Sequence, residues 1–173
     1  MAVYALGELV PRIDPTAFVH PDATVIGDVV IGPDSTIWPQ AVLRGDYGNI
    51  TIGARTSIQD GSVIHSTAEL PTRIGDDCVI GHLAHVECCV IEDRALVGSG
   101  SVVLHRAVVR SEALVAANAV VPNDMEVPSR AMAVGIPAKL RPDAVDPEAM
   151  IARGARQYVR NGARYREELR RLD

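Results

Sequence analysis

The chain has 173 residues, 47% hydrophobic but only 3% aromatic, and 17 Lys and Arg against 22 Asp and Glu leave a formal charge of −5. That length suits one domain with its own core, and the acidic balance excludes the basic footprint of a nucleic-acid binder. No apolar run approaches the ~20 residues of a membrane span, and Met1-Ala-Val-Tyr-Ala-Leu-Gly-Glu8 lacks the basic start and apolar stretch of a secretory signal.

From residue 19 an aliphatic residue recurs every six positions: Val19-His-Pro-Asp-Ala-Thr, Val25-Ile-Gly-Asp-Val-Val, Ile31-Gly-Pro-Asp-Ser-Thr, Ile37-Trp-Pro-Gln-Ala-Val. So short a fixed period predicts a parallel β-helix, in which three hexads make one triangular coil. Its interior is a narrow shaft of Val and Ile, which accounts for the scarcity of rings. Laid out by coil, the first column is Val19, Ile37, Ile58, Ile80, Val97 and Val115. The second is Val25, Leu43, Ile64, Val86, Val103 and Val121, and the third Ile31, Ile52, Ile74, Ile91, Val109 and Val127. Three interruptions keep the register: residues 49–51 add three, 70–73 add four, and the unit 86–90 is one short. Interruptions of a solenoid map to loops or bulges.

The repeat ends at Val134-Gly-Ile-Pro-Ala-Lys139, which bounds a β-helix over 1–142. Residues 143–173 read as a connector and a C-terminal amphipathic helix of the same domain. Asp146 is placed to cap that helix, with Pro147 at its first position. Ile151, Ala155, Tyr158, Gly162, Tyr165, Leu169 and Leu172 mark one face of a helix of about 25 residues. A helix of this kind needs a surface to cover, and the β-helix supplies one.

Residues flanking an inward aliphatic on a strand point outward. The outward stack beside the second column reads Ile26, Arg44, His65, Glu87, Leu104, Pro122. Adjacent coils lie about 4.8 Å apart, so His65 and Glu87 can share one ion. His85 is outward on the Glu87 strand, and His82 lies in the turn leading to it. Arg44-Gly-Asp46 and Gln59-Asp60 sit nearby, either to lock an oligomer or to serve the chemistry. Cys78 reads as core, and Cys88 and Cys89 as buried and inert. His105, in a turn one coil beyond Glu87, reads as a bystander, and His20 as surface. Three cysteines with two adjacent make no disulfide framework and suit a reducing cytoplasm.

Leu43-Arg-Gly-Asp46, Ile58-Gln-Asp60, Val63-Ile-His65 and Ile80-Gly-His82 together resemble the γ-class carbonic anhydrases, trimeric left-handed β-helices. The hexads and Gly135-Ile-Pro-Ala-Lys139 are shared with hexapeptide acyltransferases and are less specific. The resemblance implies a homotrimer with a divalent metal at each subunit interface, zinc first, with iron or cobalt as alternatives. It implies that His65 is a same-chain ligand, that His82 is given to the neighbouring chain, and that the third histidine falls on Glu87. Family members read Gly-His-x4-His-Gly-Cys where this chain reads Gly81-His-Leu-Ala-His-Val-Glu-Cys-Cys89, so either Glu87 or His85 completes the set. Gln59 would orient water, and Arg44, Asp46 and Asp60 would hold the interface. The implied reaction is reversible hydration of CO2 to bicarbonate by metal-bound hydroxide, slowed by an anionic ligand. Two other classes stay open: an acyltransferase or thioesterase acting on a CoA ester, and a non-catalytic metal-binding scaffold.

Overall fold

A computed structural model describes residues 2–173. It is a left-handed β-helix of hexapeptide repeats with one C-terminal helix lying along it. The first column pairs in parallel from Val19 to Ile37, Ile58, Ile80, Val97 and Val115. The second runs Val25, Leu43, Ile64, Val86, Val103, Val121. The third runs Ile31, Ile52, Ile74, Ile91, Val109, Val127. All three columns thus keep the register read from the sequence. The inward side chains are sealed from solvent, and small residues four places on, such as Ala41, Ala84, Ala107 and Ala119, fill the tight corners. Such a shaft is stabilised by burial of aliphatic surface, roughly 25 cal/mol per Å².

The corners carry a feature that the repeat does not advertise. The residue three places after a column aliphatic has a positive φ, and it is usually not glycine: Gln40 (60°), Arg55 (54°), Leu83 (59°), Arg94 (58°), Arg106 (60°) and Asn118 (56°). A left-handed L-residue costs on the order of 1–2 kcal/mol. The turn offsets that cost by aiming the same residue's N–H at the coil before it. Gln40 N donates to Asp22 O at 3.1 Å, Arg55 N to Pro33 O at 2.8 Å and Arg106 N to Cys88 O at 2.7 Å.

Two interruptions lie elsewhere than the sequence indicated. Gly27 pairs with Gly45 but Val29 with Ile50, so the three added residues fall within 46–49 rather than 49–51. Ile50, Thr51 and Ile52 are regular strand within Val42–Ile52. The four added residues of the next coil lie in the 66–71 corner rather than at 70–73, because Thr72–Ile74 is strand. The short unit turns at Cys88, between the strands His85–Glu87 and Val90–Ile91.

The helix begins with a π-turn, Glu148–Ala152, and continues as an α-helix, Arg153–Glu168. The Asp146 carboxylate accepts the N–H groups of Glu148 (3.1 Å) and Ala149 (3.2 Å), which is the expected cap. Leu169 is extended, so the helix stops before the Leu172 predicted to end it. It runs back along the first column, from Ile151 packed with Leu114 and Val145 to Arg166, whose Nη1 donates to Thr16 O at 2.8 Å. Here the scarce rings collect, outside the shaft. Trp38 lies 5.7 Å from Phe18, 5.8 Å from Tyr158 and 5.0 Å from Tyr165, tilted or edge to face. Such ring pairs contribute about 0.5–1.5 kcal/mol beyond the area they bury. A Cβ on Gly162 would stand 2.5 Å from Thr36 Cγ2, so glycine lets the helix seat this closely. His20, expected at the surface, is largely covered beside the Phe18 ring.

Candidate metal site

Parallel pairing places Arg44 beside His65 and His65 beside Glu87 on successive coils. The outward stack is therefore the one that the hexad arithmetic laid out. His65 Nδ1 meets Glu87 Oε1 at 2.7 Å, and its Nε2 meets Asp46 Oδ1 at 3.1 Å. Arg44 pairs with the other Asp46 oxygen. Asp46 gets there by alternation, two residues after Arg44 on the strand Val42–Ile52, just where the three-residue excess within 46–49 begins.

Glu87 is the hub. His85 Nε2 lies 3.2 Å from its Oε2, and His105 Nε2 lies 3.4 Å from the same oxygen. Burial opposes the Glu87 charge, but hydrogen bonds from His65, His85 and His105 outweigh it and hold the carboxyl at about 2, below its ordinary 4.5. Burial likewise opposes the Asp46 charge, while hydrogen bonds from Arg44 and His65 keep it below the usual carboxylate range. Both carboxylates are therefore anions at neutral pH.

A second group forms at the edge between the first and second columns. His82 Nδ1 meets Asp60 Oδ2 at 2.8 Å, one coil apart, and both are about half exposed. Gln59 is buried against Tyr158, whose hydroxyl is pushed upward by burial and by the Asp60 charge although the Gln59 hydrogen bond works the other way. Among the described residues no hydrogen bond or ion pair joins this group to the Glu87 cluster. The sequence-derived candidates thus fall into two sets within one chain: Arg44, Asp46, His65, His85 and Glu87, and separately Gln59, Asp60 and His82.

The first set fits a divalent cation. Both ring nitrogens of His65 face anionic oxygens, and a neutral imidazole carries only one N–H. A cation of the kind that imidazole and carboxylate share satisfies the second contact without a further proton. Two residues set aside in the sequence also belong here. Donor atoms of Glu87, Cys88 and His105 lie within 4.8 Å of one another. Alternation along a strand could not find them, because Cys88 and His105 occupy corners, where side-chain direction does not alternate. Cys78 and Cys89 are core as expected, and burial pushes both thiols up to about 12.

Fold and face together define a hexapeptide-repeat protein. The family description "Bacterial transferase hexapeptide (six repeats)" matches residues 11–45 and 71–105. Over 156 residues the chain is 42% identical to gamma carbonic anhydrase 2, mitochondrial, of Arabidopsis thaliana, covering 86% of this chain and 56% of that protein. It thus spans about half the length of that relative. It is 37% identical to the carnitine operon protein CaiE of a Proteus species over 170 residues, 98% of this chain and 86% of that one. A crystal structure from Bacillus cereus, provisionally named an acetyltransferase, superimposes with a TM-score of 0.93 at 33% identity, covering 97% of this chain and 98% of that one. The chain belongs to the γ-carbonic-anhydrase-like family of hexapeptide-repeat proteins.

Proposed function

We propose that the protein is a trimeric metalloenzyme that hydrates CO2 reversibly and slowly, with each divalent metal held between two chains. His65 and Glu87 of one chain and His82 of the next supply the ligands. The observation that carries this reading is the stacked His65–Glu87 pair, 2.7 Å apart on one face, with His82 held away from it on another edge by Asp60. Two half-sites that do not meet in one chain become complementary when copies pack around a threefold axis.

The metal, when bound, supplies a Lewis acid that makes water a nucleophile near neutral pH. The chain's own residues do the rest. Arg44 neutralises Asp46, and Asp46 holds the far nitrogen of His65 and so fixes its ring. His85 steadies Glu87 from the side rather than replacing it. Gln59 and Asp60 act from the neighbour's edge, beside His82. The Glu87 carboxylate, where an imidazole stands in the family, would lower the Lewis acidity of a bound metal and so slow hydration.

A zinc ion is the first expectation, with iron or cobalt accepted by the same donors. The three cysteines, buried and free, suit a reducing compartment such as the cytoplasm. No helix among the described residues is long and apolar enough to cross a membrane. The acetyltransferase name of the Bacillus cereus structure keeps acyl transfer from a CoA ester as the rival.

The test is metal analysis of protein purified without chelator, with a CO2 hydration assay on the same sample. Metal is expected to be present, hydration slow, and Glu87→His faster than the parent at neutral pH. Metal-loaded parent and variant that both fail to exceed the buffer rate would contradict the proposal. Turnover of an acyl-CoA by that sample would favour the rival.

A further inference from the structure

The geometry points to a second metal position, contained within a single chain and built from Glu87, His105 and the Cys88 thiolate. It takes a borderline-soft divalent cation such as zinc. The two Glu87 oxygens face different partners. Oε1 is directed to His65 at 2.7 Å, whereas Oε2 faces His105 Nε2 at 3.4 Å, with His85 Nε2 at 3.2 Å on its other side. Ligands about 2.1 Å from a tetrahedral ion stand roughly 3.4 Å from one another. The carboxylate and imidazole already have that spacing, and the Cys88 donor lies within 4.8 Å of both.

The backbone explains why a cysteine can reach this face. Cys88 sits in the corner where the shortened coil turns, at φ 53°. Its N–H is held by Thr72 Oγ1 at 2.7 Å. Its sulfur lies near Thr67 Oγ1, 3.6 Å away, and not in the aliphatic shaft that takes Cys78 and Cys89. Arg106 N donates to Cys88 O at 2.7 Å, which ties the Cys88 corner to the turn that carries His105. Both protein segments are thus fixed relative to each other by main-chain bonds. His105 is about a third exposed, which leaves the metal a way in and an open position for water.

Binding is a proton exchange without redox change. As the sulfur–metal bond forms, the S–H bond of Cys88 breaks, its electron pair stays on sulfur and its proton goes to solvent. His105 binds through its neutral Nε2 lone pair, and Glu87 is already an anion. The site does not depend on the shared metal of the proposed function, because it needs no donor from a second chain.

Cobalt(II) alone is the probe, titrated into chelator-stripped full-length protein. Thiolate ligation gives a sulfur-to-cobalt charge-transfer band in the near ultraviolet, and a shared site made of His65, Glu87 and His82 has no sulfur to produce one. The band is expected in the parent, absent in Cys88→Ser, and weakened in affinity at least about tenfold in His105→Ala. His82→Ala, which strips the shared site of its cross-chain donor, is expected to leave the band in place. Circular dichroism of each variant establishes that it is folded. Cobalt binding to folded parent protein without that band overturns the inference, as does an unchanged band and affinity in His105→Ala. Loss of non-sulfur cobalt absorption in His82→Ala reports on the shared site separately, so the two ideas fail independently.

Discussion

Two faces of the same β-helix are built from the same hexads yet have opposite fates. Beside the first column the outward residues include Phe18, Trp38 and Gln59, and all are buried beneath the C-terminal helix. Beside the second column they are Arg44, His65 and Glu87, and they form a partly buried polar cluster paired among themselves. The shafts behind the two faces are equally sealed, so inward residues do not distinguish them. The difference lies in one outward position per coil: rings there recruit the helix, whereas ionisable groups there recruit one another and, on this account, a cation.

The sharpest way to break that comparison is to remove the ring that anchors the helix. Trp38 is buried, and its Nε1 donates to Thr36 Oγ1 and Ser57 Oγ, each at 3.0 Å. Trp38→Ala should cost about 3–5 kcal/mol, read from denaturant unfolding, while the folded protein keeps its metal. Equal loss of metal and stability would mean that the two faces are not independent.

A smaller effect is expected on the third face, where Arg110 bridges Glu92 at 2.7 Å and Glu126 at 2.8 Å on flanking coils. The Arg110 hydrogen bonds hold both carboxyls below their ordinary 4.5. Lowered carboxyls contribute stability that is present above 4.5 and is lost as pH falls below it. Arg110→Ala should therefore lower the melting midpoint slightly at neutral pH, and the gap to the parent should close in acid. A gap that widens on acidification would contradict the sign.

How much of this was legible in the sequence follows from which residues carry periodicity. The inward positions repeat every six, so Val25, Leu43 and Ile64 could be stacked on one another across an interruption. From that stack Arg44, His65 and Glu87 followed by alternation. Two of the three interruptions lie elsewhere than the sequence indicates, because Ile50-Thr-Ile52 resumes an inward-outward pattern that does not show which preceding residues bulge. The left-handed corners were invisible, because Gln40, Arg55, Leu83 and Cys88 take a conformation that glycine would have signalled. His105 stands at a turn, where alternation gives no direction, and Cys88 reads as an ordinary buried, inert thiol. The helix was legible from its cap and its four-three spacing, but its end was not, since Leu169 and Leu172 continue the pattern after the backbone has left it.

The central claim is that the His65–Glu87 half-site of one chain is completed by His82 of another. It is tested most directly by complementation in a Cys88→Ser background, where sulfur ligation is removed. His65→Ala and His82→Ala chains are prepared separately, then unfolded, mixed in equal amounts and refolded, and the metal retained after desalting is measured. Each variant alone should hold little metal. The mixture should recover about one quarter of the parent sites, the fraction in which an intact His65 chain meets an intact His82 chain around a threefold ring. No recovery on mixing, from variants that refold as oligomers, would contradict the account and place the whole site within one chain.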